Sequence, residues 1–178
     1  MGEVSGMEAQ GLVQVYTGNG KGKSTAAFGQ AMRAAGRGLK VVVIQFVKGD
    51  SSCGEHRFAA RYGGFELVQP NKGDCFRQSR EELGNIVQQT LSLAREAVVG
   101  GEYDLVVLDE VFVAVQGGFL STQDVVGLME SRPARTELVL TGRGAPEEVL
   151  RRADLVTEMV AVKHPFDRGV RARKGIEC

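Results

Sequence analysis

The chain has 178 residues, 43% of them hydrophobic and 25% charged, the make-up of an ordinary globular domain long enough to bury a full core. Its 22 basic and 22 acidic residues cancel, which argues against bulk electrostatic attachment to nucleic acid or to an anionic membrane. No apolar stretch approaches the roughly 20 residues of a membrane span, and Met1 to Gln10 lack the regions of a secretion signal, so a cytoplasmic location is expected.

Residues 1–11 read as a flexible polar tail, and 12–178 as one domain. Apolar, β-branched runs predict strands at Leu12–Tyr16, Lys40–Val47, Phe65–Gln69, Asp104–Asp109, Thr136–Thr141 and Leu155–Val162. Several of these runs are continuous rather than alternating, which suits strands covered on both faces in a parallel sheet. Helical patterns fall between them at Ser24–Ala35, Gly54–Tyr62, Arg80–Val99, Ser121–Glu130 and Pro146–Arg152. The alternation predicts a three-layer α/β fold with a mostly parallel sheet. Cys53, Cys75 and Cys178 are odd in number and form no C-x-x-C pair, so reduced thiols are expected rather than a disulfide framework or zinc site.

The first strand runs into Gly18-Asn19-Gly20-Lys21-Gly22-Lys23-Ser24-Thr25 and then a helix. Glycines let successive backbone N–H groups point inward around an anion, and a helix N-terminus adds to that field. Lys23 supplies a mobile positive charge and Ser24 a hydroxyl placed for magnesium, so the segment reads as a P-loop for a nucleoside triphosphate. The match is irregular. Thr17 occupies the place of the usual first glycine, which is shifted to Gly18, and Gly20 is extra. A dinucleotide motif is excluded because Lys23 stands where its third glycine belongs. The plainer alternative is a Gly/Lys-rich surface turn.

Leu105-Val106-Val107-Leu108 ends in Asp109-Glu110, an acidic strand end of the kind that holds magnesium beside a P-loop. Spacing does not choose between the two acids. Ligands of α/β sheets gather at the carboxyl ends of strands, where Lys48, Arg143 and His164 form a candidate rim. His164 reads equally as a loop histidine satisfied by backbone, and His56 as a surface residue of a helix. Arg168, Arg171, Arg173 and Lys174 form either a solvated basic terminus or a rim for phosphate.

With these residues in view, the chain resembles the P-loop-type ATP:corrinoid adenosyltransferases. The likeness covers the loop with its shifted glycine, Val47-Lys48-Gly49 with Gly54-Glu55, Leu108-Asp109-Glu110, and Val139–Arg143 with Ala145-Pro146. It continues through Ala153–Met159, Lys163–Asp167 and Gly175-Ile176-Glu177, so it runs from about residue 12 to the C-terminus. The resemblance implies a RecA-like P-loop fold, and transfer of the 5′-deoxyadenosyl group of ATP to the cobalt of a reduced cob(I)alamin or other corrinoid, with tripolyphosphate released. It also implies magnesium, an ATP bound in reverse of ordinary P-loop hydrolases, a reductase or reduced flavoprotein as electron donor, and a homodimer. Gly18 to Thr25 would then hold ATP, and Ser24 with Glu110 or Asp109 the metal. Cobalt(I) is its own nucleophile, so no acid–base set is expected.

On the corrinoid side the family segment resembling Gly-Asp-Gly-Phe-Thr-Trp corresponds to Gly73-Asp74-Cys75-Phe76-Arg77-Gln78. Phe76 is retained, and Gln78 replaces a tryptophan that would pack under the corrin. Ser51 stands at another family tryptophan, and Phe112 where a small polar residue is usual. Two rival readings remain: a P-loop NTPase or kinase, which would yield ADP, and a nucleotide-dependent corrinoid carrier without turnover.

Overall fold

The computed structural model describes residues 10–75 and 77–177. Among them are β1 (Val13–Thr17), β2 (Val41–Gln45), β3 (Glu66–Val68), β4 (Leu105–Asp109), β5 (Glu137–Thr141) and β6 (Leu155–Glu158). The helices are α1 (Lys23–Ala35), α2 (Gly54–Tyr62), α3 (Arg80–Val99), α4 (Val111–Gln116), α5 (Thr122–Ser131) and α6 (Glu147–Arg152), followed by a 3-10 turn at Pro165–Arg168. The strands form one sheet in the order β3-β2-β4-β5-β1-β6, and every pairing is parallel. β1 therefore lies between β5 and β6, and β5 separates it from the acidic strand β4.

The continuous apolar runs become β2 and β4, buried along their whole length because helices cover both faces. Side chains alternate across the pleat, so one run feeds two cores. Val41, Val43, Leu105, Val107 and Val139 meet Ala27, Ala31 and Ala34 of α1, whose small side chains bring that helix close to the sheet. Val42, Ile44, Val106, Leu108, Leu138 and Leu140 face the other way. There they meet Leu83, Val87, Leu91, Ala94 and Val98 of α3, with Val125, Leu128 and Met129 of α5. Burying each valine, leucine, isoleucine or methionine among them contributes about 1.5–3 kcal/mol. α3 and α5 begin with reciprocal capping boxes, Ser79 with Glu82 and Ser121 with Asp124, which satisfy backbone donors that the helix start would otherwise leave unpaired.

Several boundaries differ from the sequence expectation. Gly11, expected in the tail, is buried, and a Cβ there would lie 2.3 Å from the Thr136 carbonyl oxygen. Residues 111–116 were expected in no element and form α4. Their β-branched run reads as more strand, but Glu110 turns the chain at φ 59° and starts a helix instead. The last strand ends at Glu158 rather than Val162: the Met159 N–H still donates to the Thr17 carbonyl at 2.9 Å, but its own carbonyl accepts from the Gly20 N–H of the glycine loop at 2.6 Å.

Candidate functional site

β1 delivers its loop to the carboxyl edge of the sheet, between the ends of β5 and β6. Gly18 and Gly22 have φ of 96° and 121°, a region that only glycine enters without strain. Gly20 is glycine for a different reason: a Cβ there would lie 2.6 Å from the Met159 carbonyl oxygen. The loop is thus glycine-rich because the segment after β6 crosses it. Thr17, the apparent defect in the motif, is buried, and its Oγ1 accepts from the Ala145 N–H at 3.2 Å, tying β1 to the loop before α6.

Lys23 folds back over its own loop and donates to the Gly18 and Gly20 carbonyls at 2.8 and 2.7 Å. Burial lowers its pKa, against the opposing pull of Glu110. Lys21 is more exposed and pairs with Glu177 at 3.1 Å. Arg173 bonds Glu177 as well, and these partners hold its carboxyl down at about 2.

Polar residues that end apolar strands converge beside the loop. Asp109 is fully buried: Oδ1 accepts from Thr141 Oγ1 at 2.8 Å, and Oδ2 from Gln45 Nε2 at 3.0 Å and Lys48 Nζ at 2.9 Å. Burial alone would raise its pKa, but the Lys48 ammonium and these donors outweigh it and keep the carboxylate charged. Glu110 is positioned by its N–H, which donates to Thr141 Oγ1 at 3.0 Å, and burial together with the charge of Asp109 raises its pKa. Lys48 Nζ also lies 3.2 Å from Ser24 Oγ and 3.7 Å from Glu55. Burial opposes the Lys48 charge, yet the Asp109 carboxylate prevails and raises its pKa.

These groups border a cleft of about 620 Å³, within the usual range for a small-molecule site. Gly20 to Thr25, Lys48, Glu110, Arg143 and His164 all line it, so the structure brings the loop and the candidate rim together. Asp109 stands behind this surface, Gly18 faces Met159, and Asn19 is exposed outside the lining. His164 accepts from the Phe166 N–H through Nδ1 at 3.3 Å and caps the 3-10 turn. Gln78 is not in the cleft lining. It exchanges two amide hydrogen bonds with buried Asn71, at 2.9 and 3.1 Å. Phe76 lies outside the described residues.

Sequence reading missed Gln45, although it, like Asp109 and Thr141, is a polar residue closing an apolar strand. It also placed His56 on the surface. The ring is half-buried, and its Nε2 lies 2.8 Å from Gln45 Oε1. Because the Gln45 amide nitrogen donates to Asp109, its oxygen accepts from His56, which fixes the Nε2–H tautomer. Phe28 and Phe58, also unforeseen, give the cleft an aromatic wall.

The oxygen donors Ser24, Asp109 and Glu110 suit a hard cation that shares its coordination with phosphate and water. No group of three or more His, Cys, Asp or Glu suited to hold a metal by itself occurs among the described residues, nor does a helix long and apolar enough to cross a membrane.

Comparison with known proteins gives the context. The sequence profile of the family described as ATP:corrinoid adenosyltransferase BtuR/CobO/CobP matches residues 9–178. The corrinoid adenosyltransferase of Pseudomonas aeruginosa is 39% identical over 173 residues, covering 96% of this chain and 85% of that protein. Its namesake in Escherichia coli K12 is 38% identical over 170 residues, covering 96% of this chain and 87% of that protein. Among solved structures, flagellar accessory protein FlaH from Methanocaldococcus jannaschii matches with a TM-score of 0.55 over 84% of this chain and 71% of FlaH. At 14% identity that likeness concerns the fold alone. The profile match extends from before β1 to the last residue, and the chain belongs to the ATP:corrinoid adenosyltransferase family BtuR/CobO/CobP.

Proposed function

We propose that this protein transfers the 5′-deoxyadenosyl group of ATP to the cobalt of a reduced corrinoid, with Gly18 to Thr25 holding the nucleotide. The observation that carries the reading is a glycine loop and Glu110 lining one cleft, with buried Asp109 behind them, in a chain that matches the family over residues 9–178. Cobalt(I) donates an electron pair to C5′, the cobalt–carbon bond forms as the C5′–O bond breaks, and the pair of that bond leaves on tripolyphosphate. The nucleophile needs no base, so the protein's work is positioning and neutralising charge on the leaving group.

Lys23 is poised for this work because its contacts are to neutral carbonyls, which a phosphate outcompetes. Lys21 exchanges Glu177 for phosphate, and Arg143 meets the chain from the end of β5. Magnesium, held by Ser24 with Glu110 or Asp109, supplies further positive charge to the leaving group when bound. Both Asp109 oxygens already accept protein hydrogen bonds while Glu110 lines the cleft, which favours Glu110 as the carboxylate that faces the metal.

The corrinoid meets the segment 73–78, where Phe76 gives the apolar contact and Gln78 holds the loop through Asn71. The same reading includes an external reductase or reduced flavoprotein, a homodimer and a cytoplasmic setting. The test is an anaerobic assay with ATP, magnesium and chemically reduced cob(I)alamin. Adenosylcobalamin with stoichiometric tripolyphosphate is expected. ADP with phosphate would move the protein to the NTPases, and binding of both substrates without turnover would make it a carrier.

A further inference from the structure

Lys48 has no part in the phosphate loop, yet its ammonium touches two of the groups assigned to the metal. Nζ lies 2.9 Å from Asp109 Oδ2 and 3.2 Å from Ser24 Oγ. One ammonium therefore bridges the Ser24 hydroxyl and the Asp109 carboxylate. Glu55, at the start of α2, waits at 3.7 Å on another side of the same nitrogen. The main chain of Lys48 is anchored, since Gln69 Nε2 donates to its carbonyl at 2.7 Å. Only the side chain has to move.

We propose that Lys48 is a tethered cation holding the metal position in the ligand-free enzyme, and that a divalent ion binds by displacing its ammonium from Asp109 and Ser24 toward Glu55 and the incoming phosphates. This rests on the reading of Ser24, Asp109 and Glu110 as the metal site. The physical need is clear. Asp109 is fully buried, and an unpaired buried carboxylate is strongly destabilising. A single charge nearly 3 Å away satisfies that carboxylate without closing the site. Magnesium brings two charges, with Ser24 and Glu110 lining the cleft and Asp109 behind them, and so outcompetes the ammonium when it arrives with a triphosphate. The exchange releases a positive group into the cleft as the phosphates enter, which couples metal and nucleotide uptake. Free magnesium alone competes poorly, so the enzyme discriminates in favour of the metal–nucleotide complex.

Manganese(II) binding, followed by loss of the free-ion EPR signal, tests the exchange without turnover. In the absence of nucleotide, Lys48→Met is expected to bind manganese roughly tenfold or more tighter than wild type, the worth of one charge-assisted hydrogen bond. Lys48→Arg keeps the competing charge and stays near the wild-type affinity. Magnesium should raise the melting temperature of Lys48→Met well above its value in EDTA, with little effect on wild type. Should Lys48→Met not fold, acylation of Lys48 in the wild type, read by mass spectrometry, is expected to rise on adding magnesium with a non-reactive ATP analogue, relative to the analogue alone. Equal manganese affinity in wild type and Lys48→Met, or Lys48 labelling indifferent to magnesium, overturns the proposal. Glu110→Gln and Asp109→Asn separate the two ideas. If either weakens manganese binding while Lys48→Met gives no gain, displacement alone is wrong; if neither weakens it, the metal site and the displacement fall together.

Discussion

Replacing Gly20 with Ala tests whether the segment after β6 sets the shape of the phosphate loop. The added Cβ would stand 2.6 Å from the Met159 carbonyl oxygen and 2.9 Å from the carbonyl carbons of Met159 and Val160. These are backbone atoms and cannot rotate aside, so the loop must move. Overpacking of this kind costs about 1–3 kcal/mol, and loss of the 2.6 Å Gly20 N–H bond to Met159 adds about 1 kcal/mol. The expected total of about 2–4 kcal/mol lowers the melting temperature of a chain this size by roughly 5–15 °C. Lys23 donates to the Gly20 carbonyl, so ATP affinity should fall as well, by about tenfold or more. Thermal denaturation and calorimetric ATP titration measure both effects. Gly29→Ala is the control: no atom lies within 4 Å of its Cβ position, and an alanine inside α1 should stabilise by about 0.5–1 kcal/mol. A Gly20→Ala protein that melts with wild type and binds ATP as tightly would refute the reasoning.

Lys23→Met removes the one buried phosphate-directed charge of the loop, and calorimetry should show ATP affinity reduced by about a hundredfold, as for one or two charge-assisted hydrogen bonds. Gln78→Trp breaks both amide bonds to buried Asn71 and should cost about 1–3 kcal/mol in urea denaturation; wild-type stability would mean that the pair is not formed. Tyr103 donates to Glu66 at 2.6 Å, and that bond pushes its phenol up to about 12. The folded phenol then ionises later than the unfolded one at about 10, so its contribution is whole below pH 10 and lost as pH rises from 10 to 12. Burial raises Tyr16 as well, so ultraviolet titration should show one fewer late-ionising tyrosine in Tyr103→Phe, whose stability falls less steeply over that window.

The sheet was legible because β2 and β4 are short, β-branched, unbroken apolar runs, a pattern that suits strands covered on both sides. α3 was legible because an apolar stripe runs through Arg80–Val99 at helical spacing, although its capping pair, Ser79 with Glu82, emerged only in the structure. α4 was not, since Val111 to Val115 favours strand locally and the deciding event is a positive φ at Glu110. The loop and the acidic pair could be found by local pattern. Gln45 and His56 could not, because Gln45 matters through its bond to Asp109 on a neighbouring strand and His56 through its bond to Gln45. Gln78 was read against a missing tryptophan, whereas its observed partner is an asparagine seven residues earlier.

The place of β1 in the sheet also bears on how the protein is made. Its only strand neighbours among the described residues are β5 and β6, so the segment bearing the phosphate loop is translated first and gains its partners last. Until β5 has emerged, at residues 137–141, a nascent chain carries the entire loop sequence but no neighbouring strand to support it. Closure over more than a hundred residues places this protein among slow folders with non-local contacts, and makes the interval before β6 docks the period of greatest exposure to aggregation.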